Sequence, residues 1–373
     1  MAFTPARIML RSKYLPCRCL LLMIAVLSLL VACGNPSTPA STGATAQAHA
    51  QEIVFYNWAA DMPQSVLDAF TKEYGVKIKY ETYNDMEELS RNILAGKSYD
   101  VVVVANEHVP ALVAEQRLAP IDFRNIPNFK NISANFRDLV YDQRNKHTVP
   151  YHWGTEALVV RDDLTGGQVT KWADLWNPRY AGKIGTRALP RDLVGIALLS
   201  LGYDFNSEQP EELEAAAQRL IELKPSLVFV DVSADSVVPK LLSGEIQILI
   251  GWAEDALDAQ AQSQSISHVL PEEGAILWGD NFAIPAASPN KATAELFINF
   301  LLRPDISAQI VNEKLYATPN EAAMSFVQAS LRDNPVIFPP NERIKNAHLM
   351  LALSSDGEKI YDSIWQRFMA TGE

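Results

Sequence analysis

An indole and a carboxylate lie two residues apart in the stretch Ala275–Pro285, where Trp278 and Asp280 flank Gly279. The face of an indole attracts a cation and offers an apolar surface to its methylene groups, while a carboxylate supplies the counter-charge. Gly279 has no Cβ and lets other backbone approach closely. We expect the chain to turn through these three residues and to form one wall of a cleft for a cationic ligand. A core tryptophan beside a turn aspartate is the structural alternative.

Two further tryptophans, Trp58 and Trp252, closely follow the short apolar runs Ile53–Tyr56 and Ile246–Ile250, which are typical of β-strands. Sheets of the α/β class bind their ligands beyond the carboxyl ends of strands. Three indoles in this position, with Trp278 as the third, therefore predict an aromatic box around the ligand. Three unrelated core tryptophans are the alternative.

Sequence motifs of common enzyme classes are absent: there is no G-x-S-x-G, P-loop, G-x-G-x-x-G or H-E-x-x-H. The six histidines are scattered; His108 and His152 could line a cleft, although a lone histidine is more often structural. The adjacent acids Glu254 and Asp255 could serve a glycosidase, but we expect them to point apart, with at least one on the solvated surface. The sequence therefore favours a binding protein without covalent chemistry, cofactor or metal.

Strand and helix patterns alternate in the first part of the chain. Val101–Val104 is a continuous apolar run, as expected of a strand buried on both faces. Asp61 is predicted to cap the first helix and Gly75 to end it. This alternation predicts an α/β lobe with a parallel sheet. At 373 residues the chain is expected to form a second lobe, which follows Gly154 and includes a final amphipathic helix, Asp356–Met369.

The first 32 residues are typical of a secretory signal peptide, because four basic side chains precede the apolar run Leu20–Val31. The following Cys33 completes a sequence that resembles a bacterial lipobox, in which this cysteine becomes the lipidated first residue. A transmembrane anchor is the alternative, but the run is short for a span of about 20 residues. Residues 33–51 predict a flexible tether. We therefore expect a periplasmic or extracytoplasmic lipoprotein anchored to the membrane.

Charge and cysteine content narrow the function classes further. The three cysteines, Cys17, Cys19 and Cys33, all belong to the leader, so no disulfide, thiolate catalysis or cysteine-based metal site is expected in the mature protein. The leader carries four basic and no acidic side chains, and its removal takes the formal net charge from −12 to −16. A body this acidic argues against nucleic-acid binding and mildly favours cationic ligands.

Seven stretches together carry a family resemblance over essentially all of residues 52–369. They are Phe55–Trp58, Asp100–Val104, Pro150–Gly154, Trp172–Trp176, Gly274–Pro285, Ile298–Asp305 and Tyr316–Asn320. This set resembles the periplasmic spermidine/putrescine-binding proteins of polyamine ABC transporters. The resemblance implies a type II periplasmic-binding fold, with two α/β lobes and a ligand cleft at the crossover hinge. It implies a first lobe of residues 52–156 plus 279–324 and a second of residues 157–278 plus 325–373.

The resemblance also implies that an extended polyamine lies between aromatic faces, with its amines held by carboxylates. The residues at family ligand positions are Trp58, Asp192 (in place of a glutamate), Trp252, Trp278, Asp280 and Tyr316. The chain departs from the family at Leu189, where an acidic ligand is missing, and at Asp61 and Glu107, where the family has tyrosines. We expect Asp61 and Glu107 to restore the lost negative charge from the other lobe, because an unpaired buried ammonium is costly. Met350 is expected to replace a further polar contact.

The resemblance thus implies a monomeric receptor that captures spermidine or putrescine and delivers it to an ABC permease. A receptor for another small cationic or opine-like solute stays open, because of the departures at Leu189, Asp61 and Glu107. A ferric-ion receptor is less favoured, since the sequence has no adjacent tyrosine pair suited to the metal. A secreted glycosidase that uses Asp280 with Asp192 or Glu107 is the enzymatic alternative.

Overall fold

The computed structural model describes residues 49–230 and 234–371 and leaves the side chains of residues 234–236 undescribed. The predicted signal peptide, the predicted lipidation residue Cys33 and almost all of the predicted tether therefore lie outside the described residues. Within the described ranges, no helix is both long and apolar enough to cross a membrane.

The described residues form one mixed sheet of ten strands. The strands are β1 Glu52–Trp58, β2 Lys77–Tyr83, β3 Val101–Ala105, β4 Thr148–Arg161, β5 Ile184–Thr186, β6 Leu227–Phe229, β7 Ile248–Trp252, β8 Ile266–Val269, β9 Ile276–Ala283 and β10 His348–Leu349. Their main order is β2-β1-β3-β9-β4-β7-β5-β6, while β10 pairs with β9 and β8 pairs with β4. The strands β1, β2 and β3 are parallel, as are β5, β6 and β7. The predicted parallel pairing is thus found at both ends of the sheet. The central strands β9 and β4 are antiparallel to each other, and they are also antiparallel to β3 and β7, respectively.

Helices pack against the sheet in the described ranges. They are α1 Gln64–Tyr74, α2 Met86–Leu94, α3 Val109–Ala114, α4 Asp162–Thr165, α5 Pro190–Ser200, α6 Pro210–Leu223, α7 Ala234–Ser243, α8 Ala253–Gln260, α9 Lys291–Leu301, α10 Pro304–Lys314, α11 Ala329–Arg332, α12 Asn341–Ile344 and α13 Ser355–Ala370. Helix α13 extends the predicted helix by one residue at each end. Gly75 ends α1 in the left-handed conformation, at φ 71°, as predicted.

Asp61 does not cap α1, so that prediction is wrong. The N-cap position is Pro63, whose side chain accepts no hydrogen bond. The carboxylate of Asp61 is 3 % exposed and accepts a hydrogen bond from Asn57 Nδ2 at 2.8 Å. Residue type and spacing favour a cap, but the tertiary contact with the end of β1 directs this carboxylate elsewhere.

The stretch around Trp278 is a strand and not the predicted turn. Trp278, Gly279 and Asp280 lie inside β9, which runs through the middle of the sheet between β3 and β4. Alternate residues of a strand point to opposite faces. Trp278 and Asp280 therefore share one face of the sheet, and Gly279 lies on the other.

Large hydrophobic cores flank the two central strands. One core joins β1 and β3 with α1, α9 and α10, and another joins the second half of β4 with α5, α6 and α13. Met350 is buried in the second core beside Tyr361 and Ile364. The replacement of a polar family contact by Met350 therefore stays a prediction. The cores fix the positions of β4 and β9, from which the candidate site is built.

Candidate functional site

The register of β4 against β9 places one row of residues on a single face of the sheet. His152 lies opposite Asp280, and Gly154 lies opposite Trp278. Paired residues of antiparallel strands share a face, as do residues two apart on one strand, so Glu156 joins this row. A Cβ added to Gly154 would lie 2.3 Å from the Trp278 ring, which shows that the indole lies directly over this glycine.

His152 occupies one end of this row, which we call the near end. Its Nε2 is 3.2 Å from Asp61 Oδ1, and its Nδ1 is 3.8 Å from Asp280 Oδ2. The imidazole stacks on Tyr316, with ring centroids 4.8 Å apart. Burial opposes protonation of His152, but the nearby carboxylates of Asp61, Asp280 and Glu254 outweigh burial and raise its pKa. The near end therefore gathers three acids around one imidazole.

Several buried polar atoms at the near end have no hydrogen-bond partner among the described residues. They are Trp58 Nε1, His152 Nδ1, Glu254 Oε2, Trp278 Nε1 and Asp280 Oδ1. Burial raises the pKa of Asp280 and of Glu254 to about 7 each. Buried polar groups are normally paired, so this cluster is chemically incomplete, and a cationic ligand group would supply the missing counter-charge for its carboxyls.

Glu156 and Asp192 form the opposite end of the row, which we call the far end. Asp192 lies in the first turn of α5 and is buried, and its Oδ1 has no partner among the described residues. Burial raises the pKa of Asp192 to about 7. Burial and the neighbouring Asp192 also raise the pKa of Glu156. Trp252, at the end of β7, lies opposite Glu156 and gives this end an indole as well.

An ion pair of the protein itself adjoins the far end. Arg187 donates two hydrogen bonds to the Asp255 carboxylate, at 2.9 Å and 2.8 Å, and its guanidinium lies 4.0 Å from the ring centroid of Trp252. One face of Trp252 is therefore covered by a cation of this chain. Asp255 is 1 % exposed and Glu254 is half-buried, with its Oε2 fully enclosed. The expectation that one of these acids is solvated is wrong, because both point inward from the start of α8.

Glu107 follows β3 and is the most exposed of the predicted acidic ligands. Its side chain is 22 % exposed, and its Oε1 lies 3.8 Å from His108 Nε2. Burial raises its pKa, although His108 and Arg191 oppose this effect. Its carboxylate acts electrostatically on both Asp280 and Asp192, so it lies within range of both ends of the row. Leu189, where the family acid is missing, is half-buried just before α5.

The structure thus brings the predicted residues together in two groups. The near end holds Trp58, Asp61, Trp278, Asp280 and Tyr316, while the far end holds Asp192 and Trp252. Sequence reasoning missed Glu156 and Arg187 as neighbours of the site. A signal for Glu156 was present, because it is the only acid in β4 and directly precedes the apolar run Ala157–Val160.

A cleft of about 530 Å³ lies along β4 and β9, and His152, Trp278 and Asp280 of the near end are among the residues that line it. Trp153, Leu277 and Asn281, whose register places them opposite to the His152 face, line this cleft. Trp58, Trp252 and Tyr316 do not line it, so the cleft includes only part of the predicted aromatic box.

Comparisons with known proteins show similarity over most of the chain. The family model for bacterial extracellular solute-binding proteins matches residues 65–334. The spermidine/putrescine-binding periplasmic protein of Escherichia coli (strain K12) is 33% identical over 329 residues, which covers 87% of this chain and 94% of that protein.

Solved structures give the same result for the fold. The spermidine/putrescine ABC transporter substrate-binding protein PotD from Streptococcus pneumoniae is 27% identical, with a TM-score of 0.77 over 86% of this chain and 99% of that one. A putative spermidine/putrescine ABC transporter from Listeria monocytogenes is 25% identical, with a TM-score of 0.79 and the same coverage. These likenesses confirm the predicted fold class, an α/β fold of the solute-binding type.

Proposed function

This chain belongs to the bacterial extracellular solute-binding proteins, and from this membership we propose that it captures a polyamine, spermidine or putrescine, and delivers it to an ABC permease. The relatives described above carry these ligands in their names. The single observation that carries the proposal here is a set of three carboxyl groups, each with one enclosed oxygen that lacks a partner among the described residues. They belong to Asp192, Glu254 and Asp280.

The chemistry of this set favours a ligand with several positive charges. Enclosed carboxylates are unfavourable unless a cation compensates them. A polyamine supplies at least two ammonium groups, joined by methylenes that can lie against Trp278 and Trp252. A neutral sugar would leave the carboxylates uncompensated, and an anionic ligand would be repelled. We therefore favour the polyamine over the opine-like solutes and over a glycosidase, and we propose no covalent chemistry.

We propose that the chain works as two lobes that close on the ligand. The first comprises residues 52–156 plus 279–324, and the second comprises residues 157–278 plus 325–373. Asp280 would contribute from the first lobe, and Asp192 from the second. A ligand that contacts both lobes favours the closed state by its differential contacts. Radius of gyration from solution scattering should fall when spermidine is added.

We propose that the mature protein begins at lipidated Cys33 and remains on the membrane through a tether of residues 33–51. One acyl chain gives only marginal anchoring, so the several chains of a lipoprotein are needed. Cys33→Ser should release the protein from the detergent phase. Equal partitioning of the wild type and this variant would contradict the anchor and leave polyamine binding untouched. We propose that the receptor acts as a monomer.

Calorimetry combined with native mass spectrometry tests the binding function. We expect spermidine and putrescine to bind with heat that saturates at one ligand per chain, and purified protein to retain an amine of matching mass. A glycoside panel supplies the enzymatic control. A folded protein that binds neither amine, or that turns over a glycoside, would overturn the proposal.

A further inference from the structure

A glutamate inside a buried strand is unusual, and Glu156 is one. Thirteen of the fourteen residues of β4 are buried, and Glu156 is 4 % exposed among them. Glutamate is almost never fully buried unless a partner compensates it. The partner here is another acid, Asp192, at the start of α5. The sequence places the two residues far apart, and only the packing of α5 against the sheet brings them together.

The two buried carboxyl groups interact, because burial and the neighbouring Asp192 both raise the pKa of Glu156. Asp192 Oδ1 has no partner among the described residues, so the pair has unused acceptor capacity. The charged groups that face the pair from the surrounding elements are Glu107, Arg187, Arg191 and Asp255. Arg187 already donates two hydrogen bonds to Asp255. Arg187 is therefore engaged by Asp255, and one oxygen of the buried acid pair is left for a ligand cation.

The distance along β4 relates this pair to the near end. His152 and Glu156 are four residues apart on the same face, which corresponds to about 13 Å of extended strand. Gly154 lies between them, and the Trp278 indole covers it. The row therefore offers acid, then indole, then acid. A polyamine has the same order of charge, methylenes and charge.

We propose, on the basis of the polyamine function above, that Glu156 and Asp192 together form the second ammonium site, and that Glu156 replaces the acid missing at Leu189. On binding, the proton held between the two carboxyls passes to solvent while one ammonium enters. The net charge of the pair with its bound cation is then the same before and after. This assigns to Glu156 the compensation that the sequence suggests for Glu107.

The geometry separates Glu156 from Glu107 as candidates. Glu156 is enclosed, and an ammonium beside it would have no water to replace a lost carboxylate. Glu107 is the more exposed of the two acids, at 22 % of its side chain against 4 % for Glu156, and it lies beside His108, so its loss should cost less. The length of the row, about 13 Å of strand between His152 and Glu156, also predicts ligand length. The ammonium groups of putrescine are about 6 Å apart in an extended chain, and the terminal ones of spermidine about 11 Å, from ordinary bond lengths. Only the longer amine can engage both ends.

Calorimetry on Glu156→Gln, with Glu107→Gln as the matched control, tests this assignment in the full-length protein. We expect Glu156→Gln to weaken spermidine binding at least tenfold, and to weaken putrescine binding less, so that the preference for spermidine falls. Glu107→Gln should change either affinity by less than threefold. Titrations in buffers of low and high ionisation enthalpy count the protons released. Near pH 7, Glu156→Gln should release fewer protons per spermidine than the wild type.

Asp192→Asn provides a second variant, because it should lose the same selectivity and the same proton release, even if Glu156→Gln folds poorly. Thermal unfolding of each variant without ligand verifies the fold. Unchanged spermidine affinity and proton release in a folded Glu156→Gln would overturn the assignment while the polyamine function stands. Equal losses for Glu107→Gln and Glu156→Gln would also overturn it. Absence of amine binding by the wild type would overturn the proposed function itself.

Discussion

Two neighbouring pairs of buried charged side chains behave in opposite ways. Arg187 and Asp255 have opposite charges and make two short hydrogen bonds, and Asp255 also accepts from the backbone N–H of Trp252 at 2.9 Å. Glu156 and Asp192 are both acids, and one oxygen of Asp192 has no partner among the described residues. Both pairs lie near Trp252. The Arg187–Asp255 pair, which we call complete, holds the site in place. The Glu156–Asp192 pair, which we call incomplete, is suited to bind an ammonium group.

The same contrast separates the near end from the rest of the sheet. In the structure, most buried polar groups reach a partner, such as Trp172 Nε1, which donates to Gly274 O at 2.8 Å. The near end instead gathers unpaired atoms of Trp58, Asp280 and Glu254 in one place. An unpaired buried polar group costs free energy. A cluster of several such groups at one place therefore indicates a function. Substitution of a paired buried group should therefore lower the free energy of unfolding, while substitution of an unpaired one should weaken ligand binding.

The largest effect on binding should come from Asp280→Asn. This change preserves shape and removes the carboxylate that pairs with a ligand ammonium, so spermidine binding should weaken by about 2–5 kcal/mol. Stability should stay the same or rise, because a desolvated acid is removed. Calorimetry and urea unfolding measure the two quantities. If binding is unchanged, the near end is not the ammonium site.

Asp255→Asn should show the opposite pattern. It removes the carboxylate that Arg187 holds through two hydrogen bonds, and loss of one partner of a buried ion pair costs about 3–5 kcal/mol of stability. Urea unfolding without ligand measures this loss. Asp192→Asn is the control from the incomplete pair and should not lower stability. Similar losses for both variants would remove the contrast between the two pairs.

Two tryptophans sharpen the comparison further. Trp278→Ala should weaken spermidine binding by about 1–3 kcal/mol, through lost cation–π and methylene contacts. Trp176→Ala should lower stability and leave affinity unchanged, because Trp176 packs against the core, donates to Arg219 O and lies beneath the Arg219 guanidinium. Calorimetry on folded samples of both distinguishes the roles. If folded Trp278→Ala binds spermidine with normal affinity, Trp278 is not part of the aromatic box.

The smallest effect should be a pH dependence of the ligand-free protein. Burial holds the pKa of Asp192, Glu254 and Asp280 at about 7, against about 4 in an unfolded chain. The folded state then binds more protons between pH 4 and 7, so its stability falls as pH rises through that range. His152, whose pKa is also raised, acts in the same direction above its unfolded value.

The free energy of unfolding measured with urea should therefore be higher at pH 5 than at pH 7.5. Asp280→Asn should reduce this difference, and saturating spermidine should reverse it, because the cation favours the ionised carboxyls. Stability that rises with pH over this range would contradict the conclusion that the near-end carboxyl groups lack a counter-charge in the ligand-free protein.

Local sequence patterns determined much of the architecture. The positions of α1 and α13, the buried strand β3 and the strand ends at Trp58 and Trp252 follow from periodicity and punctuation within short windows. Residue types at matching positions also indicated the solute class. These features depend on neighbours in sequence, which is why the sequence alone can predict them.

Tertiary structure decided which charges meet. Trp278 and Asp280 lie in a strand because β3 and β4 pair with β9 from both sides, and Asp61 faces His152 because β4 passes beneath it. Glu156 meets Asp192 only after α5 packs on the sheet. Such contacts join distant segments through strand register and helix packing. Local spacing does not encode this register, so the completed and incomplete charge pairs become visible only in the folded chain.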